Sequence, residues 1–480
     1  MLHLWRGYGA PGPEVAAQGD ADGERSVHRE ASGGDASTST RSPRTMRVLL
    51  VAYHFPPDPQ VGALRSGTVA AALRDWGHEV HVVTARLPGE TGSERGGMDG
   101  VNVRTVAPLP TARDLYARAK RWLRPGARKG GGVSAPQRTG EAPAARVATW
   151  KRYVFSLMWL PDDRQGFILP AVRAGSSIAR PVDLVYTSAP PYSTHLAGLL
   201  LKRHLRARWA VEFRDPWSRS PWKPAHVRTR ASDAVDRWLE RRCLLAADLL
   251  VSVTDGIQRD FAAVLGKPFA PGRAVVVRNG IPHLAERRGD GAPRQPYRIV
   301  YLGTLYHRRD PRPFLTALGA VAKRQMLGPA QLRVDLVGEC RSYRGASLEE
   351  LVRVLGLEGV VHFQDWVAHD EAERLMTSAD LLLLLAQDQP TQVPQKLYEY
   401  LGTRVPILAF ADAEGETADL VRRAGGHFVV TDNDVAATEA ALTEALRRHG
   451  EAVAEPPNEA LLEEWTTRMQ LLRLKAALGA

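Results

Sequence analysis

Two cysteines, Cys243 and Cys340, are all that the 480 residues contain. They lie far apart with no second Cys or His pattern beside either. That removes a disulfide framework and a cysteine-based structural zinc site, and it fits a reducing compartment. No apolar run approaches the roughly 20 residues that a membrane-spanning helix needs. Outside the first 45 residues the one D-x-D is Asp432 to Asp434, which reads as a helix N-cap turn before Val435 rather than a metal site. Residues 1–45 lack both hydrophobic periodicity and the apolar core of a signal peptide, and they read as a disordered leader. Their literal G-x-G-x-x-G (Gly7, Gly9, Gly12) follows no strand, and Pro11 and Pro13 oppose the helix that should come next, so a dinucleotide site is excluded there. Folded sequence starts abruptly at Met46, as it would if a start site had been assigned too far upstream.

What the chain does have is positive charge, unevenly placed. The formal net charge is +11. Between Thr111 and Arg152 stand eleven basic residues against only Asp114 and Glu141. Such a segment can dock on anionic lipid or a nucleic acid backbone, or remain a solvated insertion. No nucleic-acid recognition motif accompanies it, so a nucleic acid partner is not expected.

Apolar runs alternate with helical patterns along the rest. Val48–Ala52, Glu79–Ala85, Asp183–Thr187, Trp209–Phe213, Leu249–Val253 and Ala274–Arg278 read as strands, with a helix at Thr68–Trp76 ended by Gly77. A second series follows at Tyr297–Gly303, Leu332–Gly338, Val360–Phe363, Leu381–Ala386 and Val405–Phe410. The fold class is therefore α/β, with two tandem Rossmann-like doubly wound parallel-sheet domains facing across a cleft and a C-terminal helix. The expected division is a leader (1–45), a first domain (46–282) interrupted by the basic insertion (111–152), a polar linker (283–296), a second domain (297–455) and a terminal helix (456–480).

The most informative stretch is Asp380 to Phe410, DLLLLLAQDQPTQVPQKLYEYLGTRVPILAF. Leu381 to Ala386 suits a strand buried on both faces. Pro394 suits a helix start, Gly402 a helix end. Ligands of parallel sheets sit at the carboxyl ends of strands, so the loop from Gln387 to Gln395 should border a crevice. The helix N-terminus offers free N–H groups to an anion, Lys396 adds a positive charge, and Glu399 lies one turn on. A phosphate site with a carboxylate nearby suggests a nucleotide.

Several segments, in this order, resemble a GT-B glycosyltransferase of the family 4, group 1 type: FPPDPQVGALRSG, GHEVHVVTAR, SAPPYSTHLAGLLLKR, VEFRDPW, WLERRCLLAADLLVSVTDGI, VVVRNGI, YLGTLYHRRDPRPFLTAL, DLVGE and VPQKLYEYLGTRVPILAF. The resemblance runs from Met46 nearly to the C-terminus. It implies a nucleotide-diphosphate sugar held mainly by the second domain, an acceptor held by the first, retention of anomeric configuration and no cofactor or obligatory metal. The family's paired glutamates map onto Glu399, implied to bond the donor ribose, and onto Thr391, where the other glutamate is missing. Gly303, with Arg308 or Arg309, falls where the family holds the diphosphate, although the arginine usual directly after that glycine is Thr304 here. Trp366 and Val367 fall where it seats the base.

In the first domain the resemblance brings Gly62 beside the diphosphate, with Arg65 placed to add charge. Arg214 and Asp215 at a strand end fit acceptor binding or proton handling, or a structural ion pair. His195 opens a helix and faces either the cleft or solvent. The expected activity is transfer of a sugar to a saccharide, lipid-linked or natural-product acceptor, in the cytoplasm or peripherally on the inner membrane face. A nucleotide-sugar epimerase or phosphorylase, or a non-catalytic nucleotide-sugar binding protein, would suit the same scaffold.

Overall fold

The computed structural model describes residues 45–479, except 93, 96, 97, 124–148, 179, 180, 221, 222, 224–227, 268, 271, 287–294, 307 and 450–456. The expected leader (apart from residue 45), most of the basic insertion and most of the linker thus lie outside the described residues. Two parallel sheets organise the rest.

The first sheet contains β1 (Arg47–Ala52), β2 (Glu79–Ala85), β3 (Glu94–Arg95), β4 (Val101–Val106), β5 (Leu184–Ala189), β6 (Arg208–Phe213), β7 (Leu249–Ser252) and β8 (Ala274–Val276). Their order is β3-β4-β2-β1-β5-β6-β7-β8, and only β3 runs antiparallel to its neighbour. The second sheet takes β9 (Tyr297–Leu302) and β10 (Leu332–Val337). After the small β11–β12 hairpin (Ser342–Tyr343, Ala346–Ser347), it adds β13 (Val361–Gln364), β14 (Leu381–Ala386), β15 (Ile407–Ala411) and β16 (Phe428–Val430). Its order is β13-β10-β9-β14-β15-β16, parallel throughout. The sequence explains the burial: the central strands are continuous apolar runs, and every residue of β5 and β14 is buried. Helices on both faces of each sheet complete separate cores.

Three local departures from the sequence pattern matter. The first helix spans Val61–Asp75, beginning seven residues before the expected Thr68, so Gly62 and Arg65 are helical rather than in a loop. Glycines read as helix breakers by propensity. Here contact overrides propensity: a Cβ on Gly67 would meet the Pro56 ring and one on Gly62 the Arg214 guanidinium. Gly402 does not end its helix, which runs Gln395–Thr403 and closes with Arg404 at φ 59°. Its missing side chain instead lets the main chain at His283 pass, and Ala285 N donates to the Gly402 carbonyl at 2.8 Å. Pro394 is the N-cap of that helix rather than a member of its first turn.

The C-terminal segment is two helices, Glu459–Glu464 and Thr467–Leu478. Thr466 caps the second through its side chain, which accepts from Met469 N. Leu462 and Trp465 pack into the second domain, whereas Leu474 and Leu478 fill the first-domain core beside Val48, Leu50 and Val80. Ile281 N donates to Trp465 O, and Thr467 N donates back to Ile281 O, so the chain crosses between domains twice at one place. Removing the wholly buried Leu474 side chain (Leu474→Ala) is expected to cost about 2–5 kcal/mol. Urea unfolding followed by circular dichroism measures this, with the first domain melting earlier.

Candidate active site

The carboxyl ends of the two sheets meet along the loop 387–394. Thr254 Oγ1, after β7, donates to the Thr391 carbonyl at 2.7 Å. Gln392 Nε2 donates to Asp215 Oδ1, and Arg259 pairs with Glu416 at 2.7 Å. A Cβ on Gly256 would lie 3.1 Å from Thr391 Cα. The loop is held from its own side by Asp412, which accepts from Asp388 N at 3.2 Å and Gln389 N at 2.7 Å. Glu416 N and Thr417 Oγ1 donate to the carbonyls of Pro390 and Gln392. Gln387, Gln389 and Gln392 are buried, and each has one amide atom without a partner (Oε1, Nε2 and Oε1).

On the second domain, the expected diphosphate residues separate into two groups. Arg309, Pro394 and Lys396 line one pocket with Tyr301, Leu302, Leu384, Leu385 and Tyr400. The Arg309 guanidinium lies 4.4 Å from the Tyr306 ring centre, and its buried Nε has no partner. Gly303 has φ 151°, and a Cβ there would lie 3.5 Å from Arg309 Nη1. A side chain on Gly338 would strike the Gly303 carbonyl, so the backbone of these two strand ends is packed without room for a Cβ. Lys396 Nζ pairs with Glu399 Oε2 at 2.7 Å, both partly buried. Arg308 is turned elsewhere: its Nη1 donates to the Asp388 carbonyl at 2.6 Å and anchors the interdomain loop. Val367 is half-buried, and the neighbouring Trp366 is 64% exposed, which excludes core packing as the reason for that indole.

On the first domain, Arg65 and His195 correct the expectation. Arg65 is buried and fully engaged: Nε and Nη2 donate to Glu212 Oε1 at 3.0 and 2.8 Å, and Nη1 and Nη2 donate to the carbonyls of Arg278 and Val277. Tyr186 Oη and Ser188 Oγ complete the Glu212 shell at 2.9 and 2.6 Å. Burial opposes ionisation of Glu212, yet Arg65 and Ser188 overcome it and hold the carboxyl below its ordinary range. His195 is wholly buried, neither in the cleft nor in solvent. Its Nδ1 meets Thr187 Oγ1 at 3.0 Å, and Tyr192, Phe213 and Trp217 surround the ring. Burial and Arg214 push its pKa down to about 3, so it is neutral.

Arg214 and Asp215 are at the meeting edge but do not form a pair with each other among the contacts seen. Arg214 lies against Gly62 and donates Nη2 to the Pro190 carbonyl, with its buried Nε unpartnered. Burial raises the Asp215 pKa, and its bond from Gln392 makes it one of the points where the first domain touches the second. The sequence pattern missed Glu212 because VEFRDPW reads as strand to the phenylalanine, and an alternating acid inside a buried strand needs its partner's position to be explained. Arg278, which pairs with Asp255 at 2.5 Å and lies near Tyr398, was missed for the same reason. Among the described residues no three His, Cys, Asp or Glu side chains are grouped as a metal ion would need.

The comparisons agree with this architecture. The family described as glycosyl transferases group 1 matches residues 296–448, and the glycosyl transferase 4-like domain matches residues 63–280. Sucrose-phosphate synthase from Thermosynechococcus elongatus is similar over 90% of this chain and 98% of its own, with a TM-score of 0.56 and 12% identity. An Anabaena protein in complex with UDP-glucose covers 90% of this chain and 99% of its own, with a TM-score of 0.56 at 14% identity. A UDP-forming trehalose-phosphate synthase from Burkholderia xenovorans covers the same shares, with a TM-score of 0.54 at 14% identity. Among curated proteins none matches the sequence. The fold and the two matched domains define a GT-B enzyme. The chain belongs to the group 1 glycosyltransferases.

Two outcomes test the buried groups. Glu212→Ala leaves the Arg65 charge unpaired in the interior and is expected to cost about 3–5 kcal/mol by chemical denaturation. Burial also lifts the Glu240 carboxyl, beneath Ser218, from 4.5 to about 7. The folded state therefore binds its proton more tightly than the unfolded chain. That contribution to stability is complete below about pH 4.5 and is lost as pH rises through 7. Glu240→Gln should flatten the decline in melting temperature between pH 5 and 8, measured by scanning calorimetry.

Proposed function

We propose that this chain transfers a glycosyl group from a nucleoside-diphosphate sugar, held on the second domain, to a saccharide, lipid-linked or natural-product hydroxyl presented by the first. The observation that carries the reading is the convergence of Arg309 and Lys396, from loops after the adjacent strands β9 and β14, on one pocket at the start of the helix Gln395–Thr403. Two cations and a helix N-terminus suit a diphosphate. Glu399, one turn along, is placed for a ribose hydroxyl and shares Lys396. Val367 and the exposed Trp366 offer an apolar seat for the base, with Gly303 permitting close backbone approach. The UDP-glucose held by the Anabaena protein supports a nucleotide sugar as donor.

Transfer proceeds with retention and without metal in this reading. The bond between the anomeric carbon and the diphosphate oxygen breaks, the acceptor oxygen bonds the same face of that carbon, and the departing diphosphate takes the acceptor proton. Fixed cations then supply the stabilisation of the leaving charge. Arg214, beside Gly62, and Asp215 stand on the acceptor side of the same edge and contact or orient the reacting groups. With Thr391 where a second glutamate is usual, the buried amides of Gln387, Gln389 and Gln392 are the polar groups left to meet the donor sugar.

Lys396→Ala and Arg309→Ala should each weaken UDP or GDP binding by roughly 10- to 100-fold, the worth of a charge-assisted hydrogen bond. Arg308→Ala should leave it nearly unchanged. Titration calorimetry measures all three, and equal affinity in the first two variants would refute the assigned pocket. Mass spectrometry of products formed from donor alone separates an epimerase from a transferase.

A further inference from the structure

Two short helices emerge from the first domain with their apolar stripes uncovered. In Ala112–Leu123 the apolar positions recur at Ala112, Leu115, Tyr116, Ala119, Trp122 and Leu123. In Thr149–Leu157 they recur at Trp150, Tyr153, Val154 and Leu157. This three-and-four spacing is the pattern by which a helix buries one face in a core. Here the described members of that face are not buried. Trp122 is 84% exposed, and Leu115, Tyr116, Tyr153, Val154 and Leu157 are exposed by between 46% and 56%. Exposed apolar side chains elsewhere, such as Met326 and Val354, are scattered, which needs no explanation. The two helices touch through the edge-on rings of Tyr116 and Phe155, 5.5 Å apart, so they form one unit.

The same unit concentrates the positive charge. In sequence Arg113, Arg118, Lys120 and Arg121 belong to the first helix and Lys151 and Arg152 to the second, against Asp114 alone, and Arg113 and Arg118 are exposed. An apolar stripe with Trp and Leu, flanked by Lys and Arg, suits the boundary of an anionic bilayer: the stripe enters the acyl region and the cations meet headgroups. A nucleic acid would satisfy the cations but leave the stripe in water. A protein partner would have to bring acids together with an apolar surface of its own.

The hairpin is rooted at the carboxyl edge of the first sheet. Leu109 N donates to the Gly166 carbonyl at 2.9 Å, and Asp162 accepts from Ser193 N and Oγ just after β5. Arg164 lies over the Tyr53 ring directly after β1. Arg214 and Asp215 leave the sheet along this edge.

We infer that the helices Ala112–Leu123 and Thr149–Leu157 form a docking surface for an anionic lipid bilayer, at the edge of the sheet that presents the acceptor. The docking does not depend on the donor pocket. Its bearing on the substrate rests on the proposed transfer: it narrows the acceptor class to a hydroxyl carried on a membrane lipid.

The test is sedimentation of the full chain with vesicles of phosphatidylcholine alone and of equal parts phosphatidylglycerol and phosphatidylcholine, with UDP calorimetry on the same samples. Binding to the anionic vesicles is expected, together with a blue-shifted tryptophan emission that Trp122→Ser abolishes. Leu115→Ser with Trp122→Ser should weaken partitioning by about tenfold or more, because buried apolar area sets the strength of interfacial binding. Arg118→Glu should weaken it as well, most at low salt, with the difference from the unaltered chain shrinking as salt rises. All variants lie on exposed positions and should keep UDP affinity, so loss of UDP binding alone would count against the pocket and not against docking. Absence of vesicle binding overturns the inference. So does binding unchanged by the serine variants, or concentration-dependent self-association by light scattering that the same variants abolish.

Discussion

One buried carboxylate organises the first domain. Glu212 sits next to the carboxyl end of β6 with no exposure, and a lone ionised group there would be prohibitively costly. Arg65 from the first helix, Tyr186 and Ser188 from β5, and through Arg65 the carbonyls of Val277 and Arg278 make it tolerable. Those bonds fix the first helix against β6 and against the segment leaving β8. Gly62, in the first turn of the same helix, leaves room for Arg214 two residues beyond Glu212. Thus the charge that cannot leave the core sets the position of the charge that faces the meeting edge. Arg65 is a positioning residue, and its own charge is spent internally.

The second domain uses the opposite device. The two cations of its pocket are not consumed by buried acids: Arg309 lies on an aromatic face with an orphaned Nε, and Lys396 has one exchangeable partner in Glu399. A nucleotide can therefore be met by groups that cost little to redirect. The loop between β14 and its helix touches the first domain through Thr391 and Gln392, so the residues leading into that helix also tie the domains together.

Much of this was legible in the residues. Continuous apolar runs fixed most strands to within two residues, and β2 and β14 agree with their expected bounds. Two parallel strands escaped. VNVRTV alternates apolar with polar because β4 is covered less fully than the central strands, and FVV is too short to stand out. Glycine was the main source of error. Gly62, Gly67 and Gly402 sit inside helices where tertiary approach forbids a side chain, a reason invisible to local propensity. The placement of Pro394, Lys396 and Glu399 together was readable because a helix start after a strand is a local element. Arg65 and His195 were misread because the partners that bury them, Glu212 and the aromatic cage of Tyr192, Phe213 and Trp217, are brought from other strands and helices.

The return of the last helix to the first core has a consequence for how this architecture can be rearranged. The amino-terminal lobe is discontinuous in the gene: its final layer is encoded after the whole of the other lobe. A chimera that exchanges lobes with a relative at the linker would join the new carboxyl-terminal helix to an unfamiliar surface around Val48 and Val80. Successful recombination must therefore cut twice, near Ile281 and near Thr466, at the two adjacent crossings that tie the lobes like the leaves of a door.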